Sequence, residues 1–261
     1  MSFFTLYTGL PQYGPGSDAS TRKALDRVPS LPPAPTISDL GCGSGRQTLA
    51  LARELNTKVV AVDVHQVYLD ELQQAAAKQG LSDIVETRCC SMDQLAEPEC
   101  SVDLIWSEGA AYTIGVPKAL EAWRPLLKSG GVLAFTELTW LSDDPPQAAR
   151  DYWQKAYPAM ATVAANRDLV DQAGYERIDD FPLPTEDWWA YYRPIQAAID
   201  KLRPQAEESA ELAQVVHETE EEIAMYECFS DHFGYTFFVL HKPGGIRARS
   251  EDDSDRRATP G

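Results

Sequence analysis

The sequence predicts an α/β protein: a mostly parallel sheet of seven strands with helices on both faces and a helical cap inserted late in the chain. Three observations carry this. From Thr36 onward, short β-branched runs alternate with amphipathic stretches, as chains do when helices cross over between parallel strands. The turn "DLGCGSG" stands between the first apolar run and a helix, where strands of such sheets hand over to helices. The run "YTFFVLHK" follows a long helical region and is continuously apolar, which suits the interior of a sheet.

Taken in order, Ser17 before "DASTRKAL" reads as the N-cap of a helix, and "VPSLPPAP" is a proline-broken linker. Strands are then expected at 37–40, 58–63, 84–88, 102–106 and 131–138, with helices at 45–55, 66–79 and 117–127. "DDPPQAARDYWQKAYPAMATV" reads as helical, and "NRDLVDQAGYERIDDFPLP" as helix, glycine stop and strand. A helical insert at about 185–230 carries "EDWWAYYRP" and an acidic helix before the last strand. The tail 243–261 is charged and poor in apolar residues, the composition of a disordered segment. Units of 1–36, 37–242 and 243–261 follow.

Composition narrows the function. With 261 residues, 44% of them hydrophobic, one sizeable core is within reach. Acidic residues number 40 against 23 basic ones, and the net charge of −17 repels phosphate backbones, so no nucleic-acid partner is expected. No apolar run is long enough to cross a bilayer and the N-terminus lacks a secretion leader, which predicts a soluble, cytoplasmic protein. The five cysteines and four histidines have no metal-ligand spacing, and no metal is expected.

A strand ending in glycines at a helix N-terminus offers free N–H groups and close backbone approach to a ligand. Dinucleotide binding needs Gly-x-Gly-x-x-Gly. Here Gly41, Gly43 and Gly45 alternate and Arg46 stands where that motif has its third glycine. Asp39 precedes them, and a carboxylate there suits a ligand with positive charge better than a diphosphate. The order acidic-x-Gly-x-Gly-x-Gly resembles the first motif of class I S-adenosylmethionine (SAM)-dependent methyltransferases. The alternative reading is a tight structural turn.

The resemblance implies that SAM is the cofactor, that the sheet is Rossmann-like and that its last strand is antiparallel, inserted beside the fifth. It implies further contacts. Asp63, ending "KVVAVD", would accept from the ribose hydroxyls, and Met92 and Asp93 in "CCSMDQL" would meet the adenine. Either acid is also a natural helix cap. The fourth strand would open onto the methyl through Ser107, Glu108, Gly109 and Ala110. "QYGPGSDASTRKAL", "WSEGAAYTIG" and "DYWQKAYP" are similar to a bacterial small-molecule subgroup of the family, which would make the N-terminal segment a lid over the cofactor.

Glu108 and Tyr112 are the candidates for catalytic contact near the methyl. Glu137 and Trp140, at the end of the fifth strand, and Trp188 and Tyr191 in the cap are the candidates for the acceptor pocket, where ring faces suit apolar or cationic molecules. For the cap aromatics, packing onto the sheet is the competing role. A small-molecule methyl acceptor is the expected partner; the assembly state stays open, a homodimer being one option. A non-catalytic SAM-binding module acting through the acidic helix is the alternative function.

Overall fold

The structure is a computed structural model and describes residues 2–244. The predicted tail therefore lies almost wholly outside the described residues. Helix α1 (Ser2–Tyr7) is followed by α2 (Asp18–Leu25), which starts where the sequence places it: the Ser17 hydroxyl accepts the Ser20 N–H at 3.1 Å. The alternating section runs β1 (Ile37–Leu40), α3 (Arg46–Leu55), β2 (Val59–Asp63), α4 (Gln66–Lys78), β3 (Val85–Cys89), β4 (Val102–Ser107), α5 (Val116–Trp123) and β5 (Leu127–Trp140). Then come α6 (Gln147–Ala156), β6 (Ala161–Thr162), α7 (Val163–Gln172), β7 (Glu176–Pro182), the cap helices α8 (Thr185–Glu208) and α9 (Ala210–Phe229), and β8 (Phe233–His241).

The strand order is β3-β2-β1-β4-β5-β8-β7. The first five strands are parallel, and β8 runs antiparallel between β5 and β7. The expected insertion of the last strand beside the fifth is observed. The strand count is corrected: two-residue β6 pairs with the end of β5 and brings the sheet to eight. Because β1 is followed outward by β2 on one side and flanked by β4 on the other, the chain reverses direction between β1 and β4. Ligands of open α/β sheets bind at such a switch point, beyond the carboxyl ends of the strands.

Two boundaries differ for local reasons. Helix α5 ends at Trp123, not 127: Arg124 still has helical backbone and donates to the Leu120 carbonyl, but Pro125 supplies no N–H to continue the ladder. Strand β5 begins at Leu127, and its pairing with β4 shifts register between Val102 and Leu104, so the "SGG" segment is absorbed as an irregularity within the strand.

Alternation along the central strands feeds two cores. In β4, Leu104 and Trp106 face the layer containing Leu51 and Phe237, whereas Ile105 faces the layer containing Trp123 and Phe238. A third cluster fastens the cap. There Trp188, only 2% exposed, stacks on Tyr226 at 4.3 Å and touches Tyr192, Phe233 and Tyr235.

Candidate active site

The glycine turn leaves β1 in left-handed backbone: φ is +71° at Gly41, +54° at Gly43 and +82° at Gly45, which caps α3 rather than starting it. Space is as restrictive as backbone. A Cβ on Gly41 would lie 2.3 Å from the Ala110 Cβ, and one on Gly45 would lie 2.2 Å from a Leu72 methyl. The expected free N–H groups are mostly not there. Gly41 and Cys42 both donate to the Val62 carbonyl at 2.8 and 2.9 Å, Gly45 donates to the Cys42 carbonyl, and Gly43 donates to the Asp63 carboxylate at 3.0 Å. What the turn exposes is bare backbone surface, with four of its amides already used.

That surface borders a cleft of about 390 Å³ between the ends of β1, β2 and β4, within the size range of small-molecule sites. Gly41, Gly43 and Gly45, Asp63, Met92, Glu108 and Tyr112 all line it. Asp63 meets the His65 N–H at 2.9 Å and the His65 ring Nδ1 at 3.1 Å through Oδ1, and accepts the Gly43 N–H through Oδ2, which keeps a lone pair for a ligand. The cleft also contains Gln12 and Tyr13, from the segment expected as a lid, and two residues that sequence reasoning passed over, Tyr68 and Ser91. Tyr13 packs against Tyr68 with ring centroids 4.4 Å apart and donates to Glu71 at 2.8 Å, which lays the N-terminal segment across the opening.

Three of the expected contacts do not line this cleft. Asp39 is wholly buried beneath the turn, accepting from Gln47 and Thr48 of α3, and burial pushes its pKa up to about 7. It ties β1 to α3. Asp93 turns toward α5 and is held by Lys118 and Ser91, the hydrogen bond from Lys118 lowering its pKa most. Ser91, two residues earlier, takes the place on the cleft wall. Ser107 is buried and donates to the Leu40 carbonyl at 2.8 Å, clamping β4 to β1.

Glu108 lies in the wall but is committed to the protein. It pairs with Arg46 and accepts from Thr21 at 2.7 Å and from the Trp106 indole at 2.8 Å, with its side chain only 4% exposed. Arg46 also reaches Asp18 at 3.3 Å. The arginine that departs from the dinucleotide motif is thus neutralised by α2 and β4 and is not offered to a phosphate.

Beyond Tyr112 the surroundings change. Its ring meets Tyr157 edge-on at 5.8 Å, and burial and then the charges of Glu222 and Glu137 raise the pKa of its hydroxyl. Glu137, at the carboxyl end of β5, is 2% exposed, and neither of its oxygens has a hydrogen bond of normal geometry, although Tyr157 and the Leu138 amide lean on it. Burial raises its pKa to about 7. The Tyr235 hydroxyl stands beside Gly109, a residue of the cleft wall, and feels the same carboxylate. Trp140 packs edge-on against Phe233 and Trp188 lies in the cap cluster, so these two pack elements together rather than line the cleft. Tyr191 is part-buried beside Tyr192 and is influenced by Tyr7, Glu222 and Tyr235.

Residues 37–131, the stretch that builds the turn and most of the cleft, match the family described as a methyltransferase domain. The chain carries a methyltransferase domain and is similar to SAM-dependent methyltransferases that act on small molecules. It is similar to a sarcosine/dimethylglycine N-methyltransferase of Aphanothece halophytica, 24% identical over 72% of this chain and 71% of the relative. It is also similar to a dimethylglycine N-methyltransferase of Parasynechococcus marenigrum, 31% identical over 46% of this chain and 44% of the relative. Its fold matches the crystal structure of a SAM-dependent methyltransferase from Geobacter sulfurreducens in complex with S-adenosyl-L-homocysteine, with TM-score 0.77, 17% identity and coverage of 92% of this chain and 96% of that one. The methyltransferase uses SAM and a small-molecule acceptor, and the non-catalytic alternative finds no support. Among the described residues, no helix is long and apolar enough to cross a membrane.

Proposed function

We propose that SAM lies in the cleft with its ribose on Asp63, its backbone-contacting edge on Gly41 and Gly43, and its adenine against Ser91 and Met92, and that the acceptor approaches from Tyr112 and Glu137. The observation that carries this is the convergence of an acid with accepting capacity left on Oδ2, a bare glycine surface and a phenol on one cleft. The fit is chemical as well as steric. SAM carries a sulfonium and an ammonium and no phosphate, and the cleft offers carboxylates, closed amides and an arginine already paired.

Bound SAM supplies a methyl carbon on a sulfonium, and the S–C electron pair leaves with sulfur as the acceptor's lone pair forms the new bond. Positioning is the main task of the protein, since near-attack geometry contributes on the order of 7–11 kcal/mol against roughly 3–5 for a general base. Glu108, held by Arg46, Thr21 and Trp106, is a positioning residue that fastens α2 to the wall rather than a proton acceptor. Residues 12–21 act as a lid, since Gly16 donates to the Asp187 carbonyl and Ser20 to its carboxylate, which joins them to the cap. Residues 37–242 form the catalytic unit, with α8 and α9 as its cap. The names of the two relatives support a small amine-bearing acceptor, and the free cysteines suit a reducing cytoplasm. The acidic composition argues against a nucleic-acid acceptor.

Calorimetric titration with SAM and with S-adenosylhomocysteine tests the site. Asp63→Ala is expected to weaken binding of both by about 1–3 kcal/mol, the worth of hydrogen bonds to a charged group. Unchanged affinity would remove Asp63 from the ribose.

A further inference from the structure

Glu137 is the polar group in the described structure whose situation the fold itself least explains. A buried carboxylate left without hydrogen bonds costs several kcal/mol unless something offsets it. The methyl-transfer chemistry set out above does not require it, and beyond the poorly aligned approach of Tyr157 and the Leu138 amide nothing meets its oxygens. Its neighbours are rings: Tyr157 after α6, Tyr112 before α5 and Tyr235 on β8 each feel its charge. A second carboxylate, Glu222 of α9, influences Tyr112 and Tyr235 from the cap side and accepts from Tyr192 at 2.9 Å. The groups acting on these phenols are carboxylates and other phenols. Lys155 lies outside, in a hollow it shares with Glu218, Glu221 and Glu222.

We infer that this aromatic, acidic side of the cleft, behind Gly109 and Tyr112, takes an acceptor whose nitrogen arrives as an ammonium and which bears no carboxylate of its own, and that Glu137 binds the charge and accepts the ammonium proton. The inference rests on the reading of the adjoining cleft as the SAM site. Ring faces attract alkylated ammonium groups, and a carboxylate at the wall supplies the counter-charge. An amino acid would instead bring its own carboxylate against Glu137 and Glu222 with no cation facing it there. Proton transfer breaks one N–H bond and forms one O–H bond on Glu137, and nitrogen keeps the pair that makes the new N–C bond while the S–C pair leaves with sulfur. A tertiary amine becomes a quaternary ammonium with no N–H, and the proton on Glu137 passes to solvent. Because burial brings the carboxyl near neutrality, Glu137 can both take and release that proton at physiological pH.

The test is calorimetry on the full-length protein saturated with S-adenosylhomocysteine, using three probes: choline, its neutral isostere with a tert-butyl group in place of the trimethylammonium, and dimethylglycine. Choline is expected to bind at least about tenfold more tightly than either of the others, a preference worth one power of ten in Kd. Glu137→Gln abolishes the preference over the isostere, Glu137→Asp keeps part of it, and both variants retain the affinity for S-adenosylhomocysteine, which reports an intact fold. Equal binding of choline and isostere, tighter binding of dimethylglycine, or no binding of choline by the saturated protein would overturn the inference. Failure of S-adenosylhomocysteine itself to bind would instead strike the reading of the cleft, and the inference with it.

Discussion

The two ends of the same sheet edge treat polar groups in opposite ways. At β1 and β2, the turn's amides, Asp39 and Asp63 all find partners within the protein, and Glu108 is held by three donors. At β5 and β8, Glu137 is buried among phenols with its oxygens unsatisfied. The first end is complete as a fold and presents shape. The second is incomplete as a fold and presents charge, and it is there that a ligand has most to contribute. The difference teaches that cofactor and acceptor sites need not share a design principle even when they meet at one methyl group.

The comparison breaks most visibly at Gly41. Gly41→Ala forces a methyl into Ala110 and holds a non-glycine residue at positive φ, so a loss of about 2–4 kcal/mol of stability is expected from overpacking plus backbone strain. Gly43→Ala, whose new Cβ would meet only the Tyr13 ring at 3.4 Å, is expected to cost about 1 kcal/mol in the same urea melts, mainly from its backbone. Equal losses would mean that the shape of the turn is not what the first end supplies.

Glu137 sharpens the other side. Its folded pKa, about 7, lies above the ordinary value of 4.5, so the folded state holds its proton more tightly than the unfolded chain. Stability from this group is complete below the unfolded pKa and is lost as pH rises to the folded one. In Glu137→Gln that loss disappears, and the variant should gain on the parent by up to about 3 kcal/mol between pH 4.5 and pH 8. Parallel curves for the two proteins across that range would show a carboxylate that the fold does satisfy. The smallest effect belongs to Asp93→Asn, which is expected to leave the affinity for SAM unchanged in calorimetry, because that carboxylate faces Lys118; a clear loss would return it to the adenine side.

What could be read without coordinates follows the same division. Strand ends, the glycine order and Asp63 are local facts, set by spacing along one stretch of chain, and they occupy the positions the sequence indicates. Asp93 and Ser91 exchange places because a choice between neighbours depends on Lys118, twenty-five residues away. Arg46 is conspicuous as a departure from a motif, yet its meaning lies in Asp18 and Glu108, which only the folded chain brings to it. Trp188 and Glu137 are both visible as residues of interest. That one of them stacks on Tyr226 and the other has no hydrogen bond of normal geometry is decided by α9 and β8, which begin 70 and 93 residues after β5 ends.

The closed amides of the glycine turn also bear on selectivity among adenine-bearing molecules. A nucleoside triphosphate would offer the same ring and sugar, but its phosphates would come to rest against N–H groups already spent on Val62, Cys42 and Asp63 and beside a guanidinium already neutralised. The turn thus offers a triphosphate few of the donors that such a ligand needs.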